Sequence, residues 1–376
     1  MISYGRPMAL LASIAVLCFV TKASAEEIVI GVELPLTGSV ATWAGITPRV
    51  GIEQAVEEVN KSGELGNNKI KVIVQDMASD KTQAISLTNQ FIKEGKVSLI
   101  IGPSTTPFCA AAAPIANDLK TPMIALAASD TITKNGPYIF KMITSGSSDM
   151  ADLAQFAIQK MNLKSYVTIY NRDNDAYVEY NKLMRVHLQK AGIRSLGEES
   201  TLASETDFTA LASKLVHLNP DSIFIAMVAE QAANIVIQAR EAGLSSEVKI
   251  FGQGGGSYLQ YAKIGGKAVD GTYFQTHYYV EGPGKLNETF VEGFRSRFKR
   301  DPDEFAAFGY AAVKVAAKAI ADAGSGDREK IRAALANLSG IPTVLGTGSF
   351  KFDATRAPIY GSVILQLKNG KPALAQ

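Results

Sequence analysis

Apolar residues recur along this chain with two periods, and the order in which the periods alternate sets the expected fold. Glu27 to Leu34 reads as a strand. After a Gly/Thr/Ser loop, a helical pattern runs from about Ala44 to Asn60 and closes at Ser62-Gly63. Lys69 to Asp76 carries Ile70, Val72 and Val74 at every second position, which predicts a strand. Lys81 to Glu94 puts Ala84, Leu87 and Phe91 on one helical face. Val97 to Ile101 is continuously apolar, as a parallel strand covered on both faces requires. Gly102 and Pro103 are expected to break it. A helix then starts at Ser104-Thr105-Thr106-Pro107, and a fourth strand is expected from Met123 to Ala127. This order predicts a parallel sheet covered by helices, with right-handed crossovers.

The pattern restarts after Ser145-Gly146-Ser147. Helices are expected at about Asp149–Met161, Tyr177–Ala191, Phe208–Leu218 and Gln231–Ala242. Between them fall strands at Ser165–Tyr170, Ser195–Leu202, Ser222–Met227 and Lys249–Phe251, the last leading into Gly252-Gln253-Gly254-Gly255-Gly256. Gly271 to Tyr279 reads as another strand. Helices follow at about Leu286–Lys299, Phe305–Ala323 and Arg328–Leu335, and the tail, Gly348–Phe352 and Ile359–Leu367, is β-like. No stretch is linker-like. The expected class is α/β: two doubly wound parallel-sheet lobes joined by a multi-crossing hinge. Residues 26–143 plus 277–342 are expected to form lobe 1, and residues 144–276 plus 343–376 lobe 2. Open parallel sheets bind ligands beyond their strand C-termini, so the cleft between the lobes is the expected site.

The first 25 residues stand apart. A short basic start at Arg6, the apolar stretch Met8 to Val20 and the small residues Ala23-Ser24-Ala25 have the form of an export leader cleaved after Ala25. The apolar stretch falls short of the roughly 20 residues that span a bilayer. Cys18 lies inside this leader behind Leu17, unlike a lipid-attachment cysteine. Cys109 is then the only mature cysteine, expected as a small buried hydrophobe. Setting aside Arg6 and Lys22 reduces the 38 basic residues to 36, against 36 acidic ones. A balanced surface argues against nucleic-acid or anionic-membrane partners. An exported, periplasmic monomer is expected.

Chemistry-bearing patterns are sparse. Of the three histidines, His187 and His217 sit in polar helical contexts, and no pair has metal-ligand spacing. There is no Gly-x-Ser-x-Gly elbow, and Gly252 to Gly256 lacks the Lys-Ser/Thr of a phosphate loop. Asp173, Asp175 and Glu179 lack the glycine and closing glutamate of a calcium loop. No cofactor, metal or catalytic group is expected. What stands out is the turn at Ser104-Thr105-Thr106-Pro107. Hydroxyls and unpaired helix-start N–H groups there can hold a carboxylate without a buried cation, although the same residues are also favoured N-caps.

Several segments together resemble the type I periplasmic solute-binding proteins of ABC importers, in the branched-chain amino acid group. They are Ile28-Val29-Ile30-Gly31-Val32-Glu33-Leu34-Pro35-Leu36-Thr37-Gly38, Trp43-Ala44-Gly45, Ile100 to Thr106, and Phe305-Ala306-Ala307-Phe308-Gly309-Tyr310-Ala311-Ala312. The resemblance implies a non-enzymatic protein that closes on a small ligand and hands it to a membrane permease. It implies that Trp43 packs over the ligand and that Ser104, Thr105 and Thr106 hold its carboxylate. Ala127, Ala128 and Ser129 would add contacts, with Tyr177 closing from the second lobe. In amino acid binders an acid pairs with the ligand ammonium at the position of Gln253 or Gly254, and neither is charged. An uncompensated buried ammonium costs several kcal/mol. Glu230 is the alternative acid, competing with a plain role at a helix start. The departure points to an aromatic carboxylate, such as a benzoate or hydroxycinnamate derivative, in a slot lined by Trp43, Phe108, Tyr177 and Met227, with Gln253 reaching a ring hydroxyl. A branched-chain or other amino acid is the alternative ligand, and a sensor of the same fold the alternative class. His277 and Tyr278 are expected near the lobe crossing.

Overall fold

The computed structural model describes residues 1–2, 26–253 and 258–375. Residues 3–25 of the expected leader and Gly254 lie outside the described residues, as does the side chain of Gln253. The first half builds β1 (Glu27–Leu34), a π-helical turn (Ala41–Ile46), α1 (Thr47–Ser62), β2 (Lys69–Asp76), α2 (Lys81–Lys93), β3 (Leu99–Ser104), α3 (Thr106–Asp118), β4 (Met123–Leu126) and β5 (Ile139–Lys141). Its strands pair in the order β2-β1-β3-β4-β5, every pair parallel. The edge strand β5 was not expected, since only three residues, Ile139 to Lys141, signal it.

The second half builds α4 (Gly146–Lys160), β6 (Ser165–Asn171), α5 (Asp175–Lys190), β7 (Arg194–Thr201), α6 (Thr209–Leu218), β8 (Ser222–Ala226), α7 (Ala229–Glu241), β9 (Lys249–Gln253), α8 (Tyr258–Gly265) and β10 (Tyr273–Thr276). The chain then returns through α9 (Lys285–Phe298), α10 (Glu304–Ala323) and α11 (Arg328–Asn337), whose apolar faces complete the first core. It ends in β11 (Ile341–Pro342), β12 (Ser349–Phe352), β13 (Pro358–Ile359), β14 (Val363–Lys368) and β15 (Lys371–Leu374). The second sheet runs β15-β14-β10-β9-β8-β6-β7 and is parallel except for β14 and β15, which join antiparallel at one edge. Among the described residues no helix is long and apolar enough to cross a membrane.

Two expectations change. The expected return to the second lobe at residue 343 comes later. β11, β12 and β13 form a separate antiparallel sheet. Phe350, Phe352 and Tyr360 bury in the first core, with Phe352 5.0 Å from the ring of Phe140. Hydrophobic burial, rather than strand order, therefore assigns this segment to the first lobe. The break expected at Gly102-Pro103 is instead an irregularity inside β3, where the pairing register shifts between Ile101 and Ser104. Gly102 has a φ of +99°, and a Cβ there would lie 2.2 Å from the Glu33 carbonyl oxygen. Only glycine lets the strand lie this close and still continue to Ser104.

The contact that joins the two ends of the first lobe is α1 against α10. A Cβ on Gly51 would sit 2.0 Å from the Ala306 carbonyl oxygen, and one on Gly309 would sit 2.2 Å from that of Pro48. The helices therefore touch backbone to backbone at two reciprocal glycines. Neither backbone can yield by a rotamer change, so Gly309→Ala is expected to cost about 1–3 kcal/mol, read as a lower midpoint in denaturant unfolding.

Glu33, on β1, is fully buried; Thr88 Oγ1 donates to its Oε2 at 2.9 Å, and its Oε1 has no partner among the described residues. Burial pushes its carboxyl up to about 8. The folded protein therefore holds a proton that the unfolded chain releases above about 4.5, and stability falls as pH rises between those values. Glu33→Gln is expected to be more stable than the parent by a margin that grows from pH 4.5 to pH 8, at up to about 1.4 kcal/mol per pH unit. Thermal unfolding across that range measures it.

Candidate functional site

The C-terminal ends of β3 and β4, the π-helical turn and the start of α10 surround a cavity of about 230 Å³. That is just below the roughly 300–1,000 Å³ of typical small-ligand sites. One wall is aromatic: Trp43, Phe305 and Phe308, with the Trp43 and Phe305 rings 5.1 Å apart. Ala44, Pro48 and Ile143 add apolar surface, as do Leu126, Ala127 and Ala128 at the end of β4. Ser104, Thr105 and Thr106 bring the hydroxyls. Among the described residues no charged side chain lines the cavity.

The tip of α3 is built from strained backbone. Thr105 has a φ of +72°, its N–H donates to the Leu126 carbonyl at 3.0 Å, and its side chain makes no capping bond. The capping alternative is thus not what these hydroxyls do. Among the described residues no side chain caps the first-turn N–H groups of α3, and they carry the positive end of the helix dipole. Ser104 Oγ donates to the Ala44 carbonyl. Its single proton is committed, so Ser104 braces the tip against the turn that carries Trp43 and has none left for a ligand carboxylate. Thr105 and Thr106 are half-buried and line the cavity.

A cation stands behind the Ala128 wall. The Lys141 side chain is fully buried, and its Nζ donates to the Ala128 carbonyl at 2.7 Å and pairs with Asp130 Oδ1 at 2.6 Å. It pins the segment that follows β4.

The remaining expected site residues fall elsewhere. Ser129 Oγ is engaged in its own turn, 2.9 Å from Thr131 Oγ1. Phe108 is buried with Met77, Ala84 and Leu87, because its place on α3 faces α2. Met227 belongs to the second core. Tyr177 is half-buried in the first turn of α5, 6.3 Å from the Tyr180 ring, and does not line this cavity. Burial raises its phenol above the usual range. Glu230 is an exposed charge in the first turn of α7. Gln253 ends β9. Sequence reasoning missed Phe305 and Phe308 as cavity residues. Their spacing of three on a helix puts them on one face, and that spacing is the signal that could have found them.

The model of the periplasmic binding protein family matches residues 27–372. The chain belongs to that family. It is a solute-binding component of an ABC importer, a transport role without enzymatic chemistry, and members of the family are exported. Among curated proteins it is similar to the leucine-, isoleucine-, valine-, threonine- and alanine-binding protein of Pseudomonas aeruginosa. The two are 27% identical over 337 residues, covering 88% of this chain and 87% of that one. Among solved structures it resembles the branched-chain amino acid transporter substrate-binding protein of Streptococcus pneumoniae in complex with isoleucine. That match has a TM-score of 0.71 at 26% identity, covering 92% and 98% of the two chains. It also shares its fold with a Rhodopseudomonas palustris solute-binding protein in complex with 3,4-dihydroxybenzoic acid, with a TM-score of 0.72 at 23% identity and coverage of 92% and 95%.

In this binding protein the Lys141 bond is the one charge-assisted hold described on the Ala128 carbonyl. Such bonds contribute about 1.5–3 kcal/mol. Lys141→Met is expected to speed amide exchange across residues 127–130 by about tenfold or more and to leave the strands of the first sheet protected. Hydrogen-exchange mass spectrometry reads both.

Proposed function

We propose that the protein captures a small aromatic carboxylate, of the benzoate or hydroxycinnamate class, and delivers it to its permease as a monomer after cleavage of the leader behind Ala25. The observation that carries this reading is the make-up of the cavity. Three aromatic rings and an uncharged lining face a helix tip whose donors no side chain caps among the described residues. An aromatic acid matches both halves, its ring against Trp43, Phe305 and Phe308 and its carboxylate at Thr105, Thr106 and the α3 amides. Ala127 and Ala128 bound the slot, and Tyr177 and Gln253 approach from the second lobe on closure. Charge disfavours an α-amino acid, because its ammonium finds no acid in the lining. The complex of the Rhodopseudomonas relative with dihydroxybenzoic acid is consistent with this class.

A second reading is a branched-chain amino acid. The Pseudomonas relative, named for leucine, isoleucine and valine, supports it equally, and an acid from the second lobe would then complete the site.

Trp43 is the only tryptophan of the chain and stands 45% exposed in the cavity wall, so its fluorescence reports occupancy directly. Titration with benzoate and 4-hydroxybenzoate is expected to change it saturably, while leucine and valine leave it unchanged. Thr106→Val removes one hydrogen bond to a charged group and is expected to weaken benzoate binding about tenfold. A response to leucine or valine without one to the benzoates would exchange the two readings.

A further inference from the structure

Three segments cross between the lobes: the one after β5, the one after β10, and the one between β13 and β14. His277, the residue after β10, touches all three. In the third crossing the Tyr360 ring meets its imidazole edge-on, 6.0 Å between ring centres, and its carbonyl accepts from Gly346 N, in the loop between β11 and β12, at 2.8 Å. Thr144 Oγ1, in the first crossing, lies 2.7 Å from its Nε2. The same Nε2 lies 3.1 Å from Asp149 Oδ1, and Nδ1 lies 2.6 Å from Glu304 Oε1, which also accepts the His277 main-chain N–H at 2.9 Å. Exposure is 7% for His277, 7% for Asp149 and 8% for Glu304.

The two acids belong to different lobes. Glu304 opens α10, which is part of the first lobe's core, and Asp149 lies in the first turn of α4, which packs on the second sheet against Tyr166, Phe224 and Phe251. A neutral imidazole has one N–H, whereas both ring nitrogens here face carboxylates, so the cation is the form that satisfies both bonds. The hydroxyl of Thr144 donates to Asp149 Oδ1 at 2.6 Å and so presents a lone pair to Nε2. The first turn of α10 also reaches the ligand cavity. Phe305 and Phe308 line it, and the Phe308 ring lies 5.5 Å from the His277 ring.

We propose that His277, bridging Glu304 of the first lobe and Asp149 of the second, is a positioning residue that sets the angle between the lobes. It does not line the cavity; it acts through the start of α10, whose other residues do. A change of lobe angle must stretch the Asp149 arm or carry α4 with it. The groups that face the imidazole are Glu304, Asp149, Tyr360 and, through Asp149, Tyr180. Burial opposes the imidazolium, and its acidic neighbours more than reverse this, raising it well above 6.5. The two carboxylates supply the charge at neutral pH, because Tyr360, pushed up to about 12 by burial, is then a neutral phenol. The pivot is therefore intact below and through pH 6.5 and is lost only as pH rises through the elevated value.

The test does not depend on which ligand the cavity takes. Spin labels replace the exposed residues Arg49 on α1 and Glu179 on α5, and electron double resonance reads the distance between lobes in the ligand-free protein. Cys109 is fully buried and stays unlabelled. The parent is expected to give one narrow distribution that does not change from pH 5.5 to pH 8. Asp149→Asn, which weakens only the second-lobe arm, and His277→Gln are both expected to shift or broaden it by several ångströms. Circular dichroism establishes that each variant is folded; if His277→Gln does not fold, Asp149→Asn decides alone. A folded Asp149→Asn protein with the parental distribution overturns the proposal. So does a parental distribution that shifts with a midpoint near 6.5, which marks an ordinary histidine instead of a pivot held charged by two acids.

Discussion

The backbone-to-backbone contact of α1 and α10 is the constraint on which the first lobe depends. It joins a helix that starts at residue 47 to one that starts at residue 304, with Gly51 and Gly309 each facing a carbonyl of the other helix. Side chains of ordinary size would hold such helices 8–10 Å apart; glycines let them close further. Because they do, the turn ahead of α1 meets the first turn of α10, and Trp43 lies against Phe305. The aromatic wall of the cavity is thus a product of helix packing between two distant parts of the chain.

The hydroxyl side of the cavity arises differently. There a parallel strand, β3, delivers its C-terminal end directly to the start of α3, and the left-handed backbone of Thr105 turns the corner. Ser104 binds this corner to the Trp43 turn through Ala44, and Lys141 binds the neighbouring β4 end through Ala128. Both act inside the lobe: Ser104 gives its one proton to Ala44, and Lys141 holds Ala128 and Asp130. What remains for a ligand is the helix tip itself, Thr105, Thr106 and apolar surface. That division suits rigid capture: the braces hold the geometry, and the groups left over make contact. The same first turn of α10 that supplies Phe305 and Phe308 begins with Glu304, so the cavity and the crossing segments share one element.

Much of this protein was legible from residue order alone. Alternating periods identified nearly every strand and helix of both lobes, because hydrophobic burial on a sheet face or a helix stripe is a local, periodic requirement. The helix tip at Ser104-Thr105-Thr106 could be found as well, since a continuous apolar strand followed by hydroxyls and a proline is a local signal; that its hydroxyls leave it uncapped could not. Long-range packing could not be read this way. The sequence alone does not say that Phe350 and Phe352 bury against Phe140, that Phe108 and Met227 face cores and not the cavity, or that Ser104 donates its proton to Ala44. It also does not place His277 between Asp149 and Glu304, which lie 128 residues before it and 27 after it. Each of these depends on which surfaces meet once the elements pack, and that is decided by shape and polar satisfaction across the whole fold rather than by any single segment.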